Sequence, residues 1–189
     1  MSSPGNSRPV RRPVTRFRKV DWARDLGTVR ELFQDYRRWI ADHKDTSAAA
    51  QERVQAGLAQ IDQLIAELPG AYGPPHGDVV LAFSRNDLVA CGALRELAPK
   101  VGEIKRVYVR ADHRGPVFGP RLTRAVLNRA RELGYERARV DTLPTMAAAI
   151  LFYPEMGFTP IPAYWPHPVA GAHFFECTIG KRPPRRNQQ

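Results

Sequence analysis

Apolar positions recur with two periods along this chain, and the switches between them mark its elements. Thr15 to Val20 reads as a short edge strand. From Leu26 to Ala41, the residues Val29, Phe33, Tyr36 and Ile40 fall at helical spacing, and Leu32 and Trp39 widen that face. A second helix, capped by Thr46 or Ser47, carries Val54, Leu58, Ile61, Ile65 and Leu68 and is stopped by Pro69-Gly70. A turn-rich loop follows at Pro74-Pro75-His76-Gly77. Asp78–Ser84 and Leu88–Leu94 are nearly continuous apolar runs joined by a tight turn at Arg85-Asn86-Asp87, so they read as strands covered on both faces.

The middle of the chain is the best specified. A strand at Glu103–Val109 leads into a loop, Arg110–Gly119, and then a helix from Pro120 to Leu133. Proline suits the first turn, Leu122, Val126, Ala130 and Leu133 make one apolar face, and Gly134 supplies the left-handed end. A second strand at Arg137–Thr142 and a second helix at Thr145–Met156 complete the unit. Two strands joined through a helix lie parallel, because only a crossover of that length returns the chain to the same end of the sheet. The loop thus delivers a helix N-terminus to the C-terminal edge of a buried strand. Free amides and the helix dipole favour phosphate there. Arg121, Arg124, Asn128 and Arg131 line another face of that helix; a solvated surface explains the stripe, and a bound polyanion would explain Arg121 and Arg124 in the first turns. Beyond Phe158, a short strand begins at Thr159–Ile161, Pro160, Pro162, Pro166 and Pro168 make the next segment irregular, and Ala172–Ile179 is the last strand.

Composition narrows the class. A chain of 189 residues holds one well-buried core, and no repeat or second boundary divides it. The expected organisation is a disordered basic lead at 1–14, one domain at 15–180 and a disordered basic tail at 181–189. The formal net charge is +10, and the ends account for all of it: Arg8, Arg11, Arg12, Arg16, Arg18 and Lys19 at one, and Lys181, Arg182, Arg185 and Arg186 at the other. The body between them is formally neutral, so nucleic acid is expected only through nonspecific contacts of the tails. No apolar run approaches a membrane span and the N-terminus lacks the apolar region of a signal peptide, which places the expected protein in the cytoplasm, away from membranes. Cys91 and Cys177 read as reduced, buried thiols and not as metal ligands.

Two motifs then carry a resemblance. Arg114-Gly115-Pro116-Val117-Phe118-Gly119 resembles motif A of the GNAT superfamily of acetyl-CoA-dependent N-acetyltransferases. Arg114, Gly115 and Gly119 match it; Val117 stands where the central glycine is expected, and Pro116 and Pro120 lack amide donors. Met146 to Phe158 resembles motif B, with Ala149, Tyr153, Gly157 and Phe158 in register and Met146 in place of asparagine. Asp141–Pro144 and Ile161–Tyr164 resemble a bacterial branch of the same superfamily. The resemblance runs from about Leu26 to Ile179.

It implies an α/β three-layer fold, with a mixed sheet of six to seven strands splayed between the fourth and fifth, and about four helices. It implies acetyl-CoA as co-substrate and direct acetyl transfer to a primary amine, here expected on a small molecule. Backbone groups of Val107, Tyr108 and Val109 would hold the pantetheine arm, and Arg114, Gly115, Pro116, Val117, Phe118, Gly119, Pro120 and Arg121 the pyrophosphate. Tyr153 is the implied acid for the CoA thiolate, with aromatic packing as its plain alternative. Glu103 is the candidate base, its alternative being an ion pair with Lys105 on the same strand face. His113 reads as a loop residue. Tyr36, Trp39 and His43 would line one side of the acceptor pocket, and Tyr164, Trp165 and His167 the other. A homodimer is left open, as are two other readings: a fold that binds CoA weakly without catalysis, and a nucleic-acid-associated protein acting through its basic ends.

Overall fold

The computed structural model describes residues 15–42, 48–115, 117–167 and 169–180. Residues 1–14 and 181–189, His43, the capping candidates Thr46 and Ser47, Pro116 and Pro168 lie outside the described residues, while Arg16, Arg18 and Lys19 of the basic end fall in β1. The strands are β1 (Thr15–Lys19), β2 (Asp78–Ser84), β3 (Asp87–Ala98), β4 (Val101–Val109), β5 (Arg137–Thr142), β6 (Thr159–Pro160) and β7 (His173–Thr178). The helices are α1 (Trp22–Asp42), α2 (Ala48–Ala66), α3 (Phe118–Glu132) and α4 (Ala147–Glu155), with short 3₁₀ turns at Gly70–Tyr72 and Ala111–His113. One mixed seven-stranded sheet runs in the order β1-β2-β3-β4-β5-β7-β6. β1 to β4 form an antiparallel meander, β4 and β5 are parallel, and β7 returns antiparallel between β5 and β6.

Alternation along the central strands divides the core in two. Val79, Leu81, Cys91 and Ala93 face α1 and α2, where they pack with Val29, Leu32, Phe33, Leu58, Ile61 and Ile65. Val80, Ala82, Ala90 and Leu94 face α3, where they meet Leu122, Val126 and Ala130. This two-sided cover is why the strand sequences are apolar throughout. Gly92 lets α3 settle on β3: a Cβ there would stand 2.7 Å from Val126 Cγ2.

Several boundaries differ from the sequence reading for identifiable reasons. α1 starts at Trp22 and not at Leu26, because Asp21 accepts the Ala23 amide through Oδ1 at 3.2 Å while its own amide donates to Asp25 Oδ2 at 2.9 Å. Asp25 also takes two hydrogen bonds from Arg18, at 2.5 and 3.0 Å, which ties β1 to the helix. β3 and β4 extend beyond the expected runs to a turn where Lys100 has φ 66°, and Arg95 pairs across from Glu103 in the added rungs. α3 begins at Phe118, which leaves Pro120 within its first turn.

The feature that positions the site is a fork. β4 and β5 pair only over Val101–Ile104 against Arg137–Val140. β4 continues to Val109 and β5 to Thr142 with no ladder between them. A register shift on the other edge of β4, opposite Cys91 to Ala93, coincides with Arg106 at φ 54°. A non-glycine residue in that region is uncommon, and one extra residue in a strand bends it and re-aims a side chain.

Candidate active site

The fork opens into a cavity of about 770 Å³. Its walls are the unpaired edge of β4, the end of β5, the first turn of α3 and one face of α4. Val107, Val109, Arg114, Gly115, Gly119 and Pro120 line it, as do Tyr36, Trp39 and Tyr153. Strand backbone without a partner and the opening amides of a helix are hydrogen-bonding groups that demand a partner, so this cleft is built for a long polar ligand. Gly119 matters for fit: a Cβ there would meet Phe152 Cε1 at 3.3 Å, on a ring that lines the same cleft.

Other residues of the expected cofactor loop sit elsewhere. Val117 is 47 % exposed and lies outside the cleft lining. Phe118 packs edge-on against Phe17, and the Arg121 guanidinium lies over that same Phe17 ring. Tyr108 is buried in the α1 face of the core beside Tyr36 and Trp39. Arg114 lines the cleft but folds back: its Nε donates to Val109 O at 2.9 Å and its guanidinium lies 4.9 Å from the Trp39 ring centre. His113, read as a loop residue, sits in a 3₁₀ turn beside Asp112.

Tyr153 is 3 % exposed, with its ring against Phe152, Phe158 and Phe175. Packing and cleft lining therefore coincide in one residue. Burial, and next the negative charge of Asp141, push its phenol well above the ordinary tyrosine range. The hydroxyl stays protonated at neutral pH.

A second cavity, of about 370 Å³, adjoins the first and shares Tyr36, Lys105, Arg106, Asp141, Thr142, Thr145 and Met146 with it. Trp165 and His167, from the irregular segment before β7, form its far wall, while Tyr164 lines neither cavity. A chain of charges crosses the floor. Arg95 Nε donates to Glu103 Oε2 at 2.6 Å, and Lys105 Nζ lies 3.2 Å from Glu103 Oε1 and 2.5 Å from Asp141 Oδ1. His167 Nε2 faces Asp141 Oδ2 at 3.2 Å, and its Nδ1 receives the Val169 amide at 3.0 Å. Burial opposes the charge on Asp141, but the His167 hydrogen bond and the Lys105 ammonium outweigh it and hold the carboxyl below its usual range.

Glu103 is fully buried, and the Tyr164 hydroxyl donates to its Oε1 at 2.9 Å. Both its oxygens are occupied and it lines neither cavity, so the ion-pair alternative describes its surroundings. Lys105 was visible in sequence as its neighbour two residues on. Asp141 and Arg106 carry no local signal in the sequence, because the first meets Lys105 only across the fork and the second depends on a backbone conformation that its residue type disfavours.

A sheet forked between two central parallel strands, with a helix N-terminus at the fork and a second cavity behind it, defines a class of α/β group-transfer folds. The model of the acetyltransferase (GNAT) family matches residues 28–158. The chain belongs to this family. It is 29 % identical over 123 residues to an uncharacterized N-acetyltransferase of Schizosaccharomyces pombe, covering 64 % of this chain and 76 % of that one. It is 30 % identical over 79 residues to YsnE, an uncharacterized N-acetyltransferase of Bacillus subtilis, covering 41 % of this chain and about half, 52 %, of that one. Among solved structures, the PaiA N-acetyltransferase of Thermoplasma acidophilum in complex with coenzyme A superposes with a TM-score of 0.64 at 16 % identity, over 87 % of this chain and 99 % of that one. Among the described residues, no helix is long and apolar enough to cross a membrane.

Proposed function

We propose that this protein transfers the acetyl group of acetyl-CoA directly to the primary amine of a small molecule. The observation that carries this reading is that two cavities meet at the end of the β4–β5 pairing, one of about 770 Å³ and one of about 370 Å³. Bound acetyl-CoA would supply the activated acetyl group. The residues present fit it: the unpaired edge at Val107–Val109 would hold the arm and the acetyl carbonyl, and Gly115 at the end of the loop with the first turn of α3 from Phe118 would hold the phosphates. Pro120 costs that turn one amide donor, and the Phe118 amide already donates to Gly115 O at 3.3 Å.

The amine arrives from the second cavity, at the shared wall of Tyr36, Asp141 and Thr142. The C–N bond forms as the C–S bond breaks. Tyr153 gives its proton to the departing sulfur, and the nitrogen's surplus proton restores it through solvent. A phenol kept protonated by burial is in the correct state for that task. Glu103 acts as a positioning residue that holds Lys105, and through it Asp141. A second cavity of about 370 Å³ lies at the lower end of ligand-site volumes, which supports a small acceptor.

An amine panel incubated with acetyl-CoA and read by mass spectrometry tests this reading. The expected result is a gain of one acetyl group on at least one amine, together with acetyl-CoA binding by calorimetry. No binding at high micromolar acetyl-CoA would remove the enzyme reading.

A further inference from the structure

Arg106 is the one arginine or lysine of the acceptor cavity that forms no ion pair, among the described residues. Three cationic side chains, Arg95, Lys105 and Arg106, and one carboxylate, Asp141, line that cavity. Arg95 is paired with Glu103, and Lys105 with both Glu103 and Asp141. Arg106 enters no ion pair with a described residue; its guanidinium rests 5.3 Å from the centre of the Tyr36 ring, meets the Tyr36 hydroxyl and is drawn by the Asp141 charge from beyond ion-pair distance. Its Nε is buried with no hydrogen-bond partner. A guanidinium cannot shed its charge, so an unpaired buried donor of this kind is costly unless a ligand completes it.

Two more unsatisfied donors belong to residues that line the same cavity. Thr142 is 5 % exposed, lines both cavities, and has a buried Oγ1 with no partner. Trp165 lines the far wall, and its buried Nε1 is likewise without a partner. An indole N–H and a guanidinium donate only, and a hydroxyl donates as readily as it accepts. Arg106 also sits at the positive-φ position of the β4 bulge, and such backbone strain is kept where it aims a side chain at a ligand. The backbone, the charge balance and the unmet donors therefore agree.

We propose that the acceptor of this acetyltransferase is a primary amine that also bears a carboxylate, with the carboxylate seated against Arg106 and hydrogen-bonded by Trp165 and Thr142. The proposal rests on the acetyl-transfer reading above. The amine end then lies toward Asp141, which lines both cavities and whose two oxygens already meet Lys105 and His167. Overall, R–NH₃⁺ and the thioester give the amide, the free thiol and one proton. Of the two protons lost by nitrogen, one replaces that given by Tyr153 to sulfur and the other passes to solvent. The small volume and the single unpaired cation favour a carboxylate over a doubly charged phosphate.

The test compares matched amines on the wild-type protein: amino acids, the same compounds decarboxylated, their carboxamides, and aminoalkyl phosphates. A site built around a charged hydrogen-bonded group discriminates by about 10–100-fold, and kcat/KM is expected to favour the carboxylate series by that margin. Arg106→Gln and the charge-retaining Arg106→Lys add a second arm. Both are expected to raise KM for the carboxylated amine about tenfold or more while the acetyl-CoA Kd is unchanged. Wild-type selectivity needs neither variant to fold. Acetylation without preference for the carboxylate, preference for the phosphate, or a weakened acetyl-CoA Kd in both Arg106 variants would overturn the proposal and leave acetyl transfer standing. Absence of acetyl-CoA binding would overturn both.

Discussion

Lys105 and Asp141 join the two strands at the point where their backbones part: Nζ lies 2.5 Å from Oδ1, immediately beyond the last paired rung at Ile104 and Val140. An ion pair thus takes over from the ladder at the fork, and it forms the partition between the two cavities. Both side chains are about 10 % exposed, so each charge depends on the other. Replacing Lys105 by Met is expected to cost about 3 kcal/mol, because Asp141 would then be buried with less compensation. The double variant Lys105→Met with Asp141→Asn is expected to lose less than the sum of the singles. Denaturant melts in a double-mutant cycle measure the coupling.

The sign of the Asp141 shift fixes a pH dependence. A carboxyl held below its unfolded value contributes stability above about pH 4, and that contribution is lost as pH falls below this range. Acid titration of the wild type beside Asp141→Asn is expected to show a shallower loss of stability in the variant.

At the alkaline end the same reasoning runs in reverse. Burial raises the Cys91 thiol from 9.0 to about 12 and Tyr135 from 10.0 to about 12. Above about pH 9 the unfolded chain releases these protons and the folded chain keeps them, so stability declines with rising pH. Cys91→Ala is expected to lower stability at neutral pH through lost packing and to flatten the alkaline decline, as read by thermal melts from pH 8 to 11.

Gly92 sets the distance between α3 and β3. Gly92→Ala is expected to cost about 1–3 kcal/mol, since its Cβ would stand 2.7 Å from Val126 Cγ2. Val126→Ala in the same chain is expected to recover part of the loss. At Gly77 a Cβ would stand 2.3 Å from the Ala71 carbonyl oxygen, a backbone atom, so Gly77→Ala is expected to find no side-chain rescue.

Tyr153→Phe separates chemistry from packing. The ring contacts with Phe152, Phe158 and Phe175 survive, so folding and the acetyl-CoA Kd are expected to hold. Turnover is expected to fall about 100-fold or more, the usual worth of a placed acid. A large loss of affinity or of folding, with turnover kept, would assign Tyr153 to packing.

Much of this architecture was legible because local signals agreed with the fold. The faces of α1, α2 and α3 were written in apolar spacing, the parallel pair followed from strand–helix–strand order, and the second motif placed Tyr153 on α4. What escaped was whatever the backbone decides without a side-chain signature. Nothing in the sequence distinguishes Arg106 from an ordinary strand arginine, because its importance comes from a positive φ and from a buried Nε without a partner among the described residues. Val117 stands where the motif has its central glycine, and as the N-cap of α3 it is exposed and outside the cleft lining. Glu103 invited a catalytic reading as an acid within an apolar strand. Its partners Arg95 and Tyr164 come from the neighbouring strand and a loop 61 residues on, beyond the reach of local pattern.

The central claim is that the cofactor arm lies on the unpaired edge of β4 and its phosphates at the start of α3. Amide hydrogen exchange with and without saturating acetyl-CoA tests it directly. Slowed exchange is expected at Lys105–Val109 and at Gly115–Arg121, with β1 and β2 unchanged. Unaltered exchange in both segments under saturating acetyl-CoA, or protection confined to other strands, would contradict it.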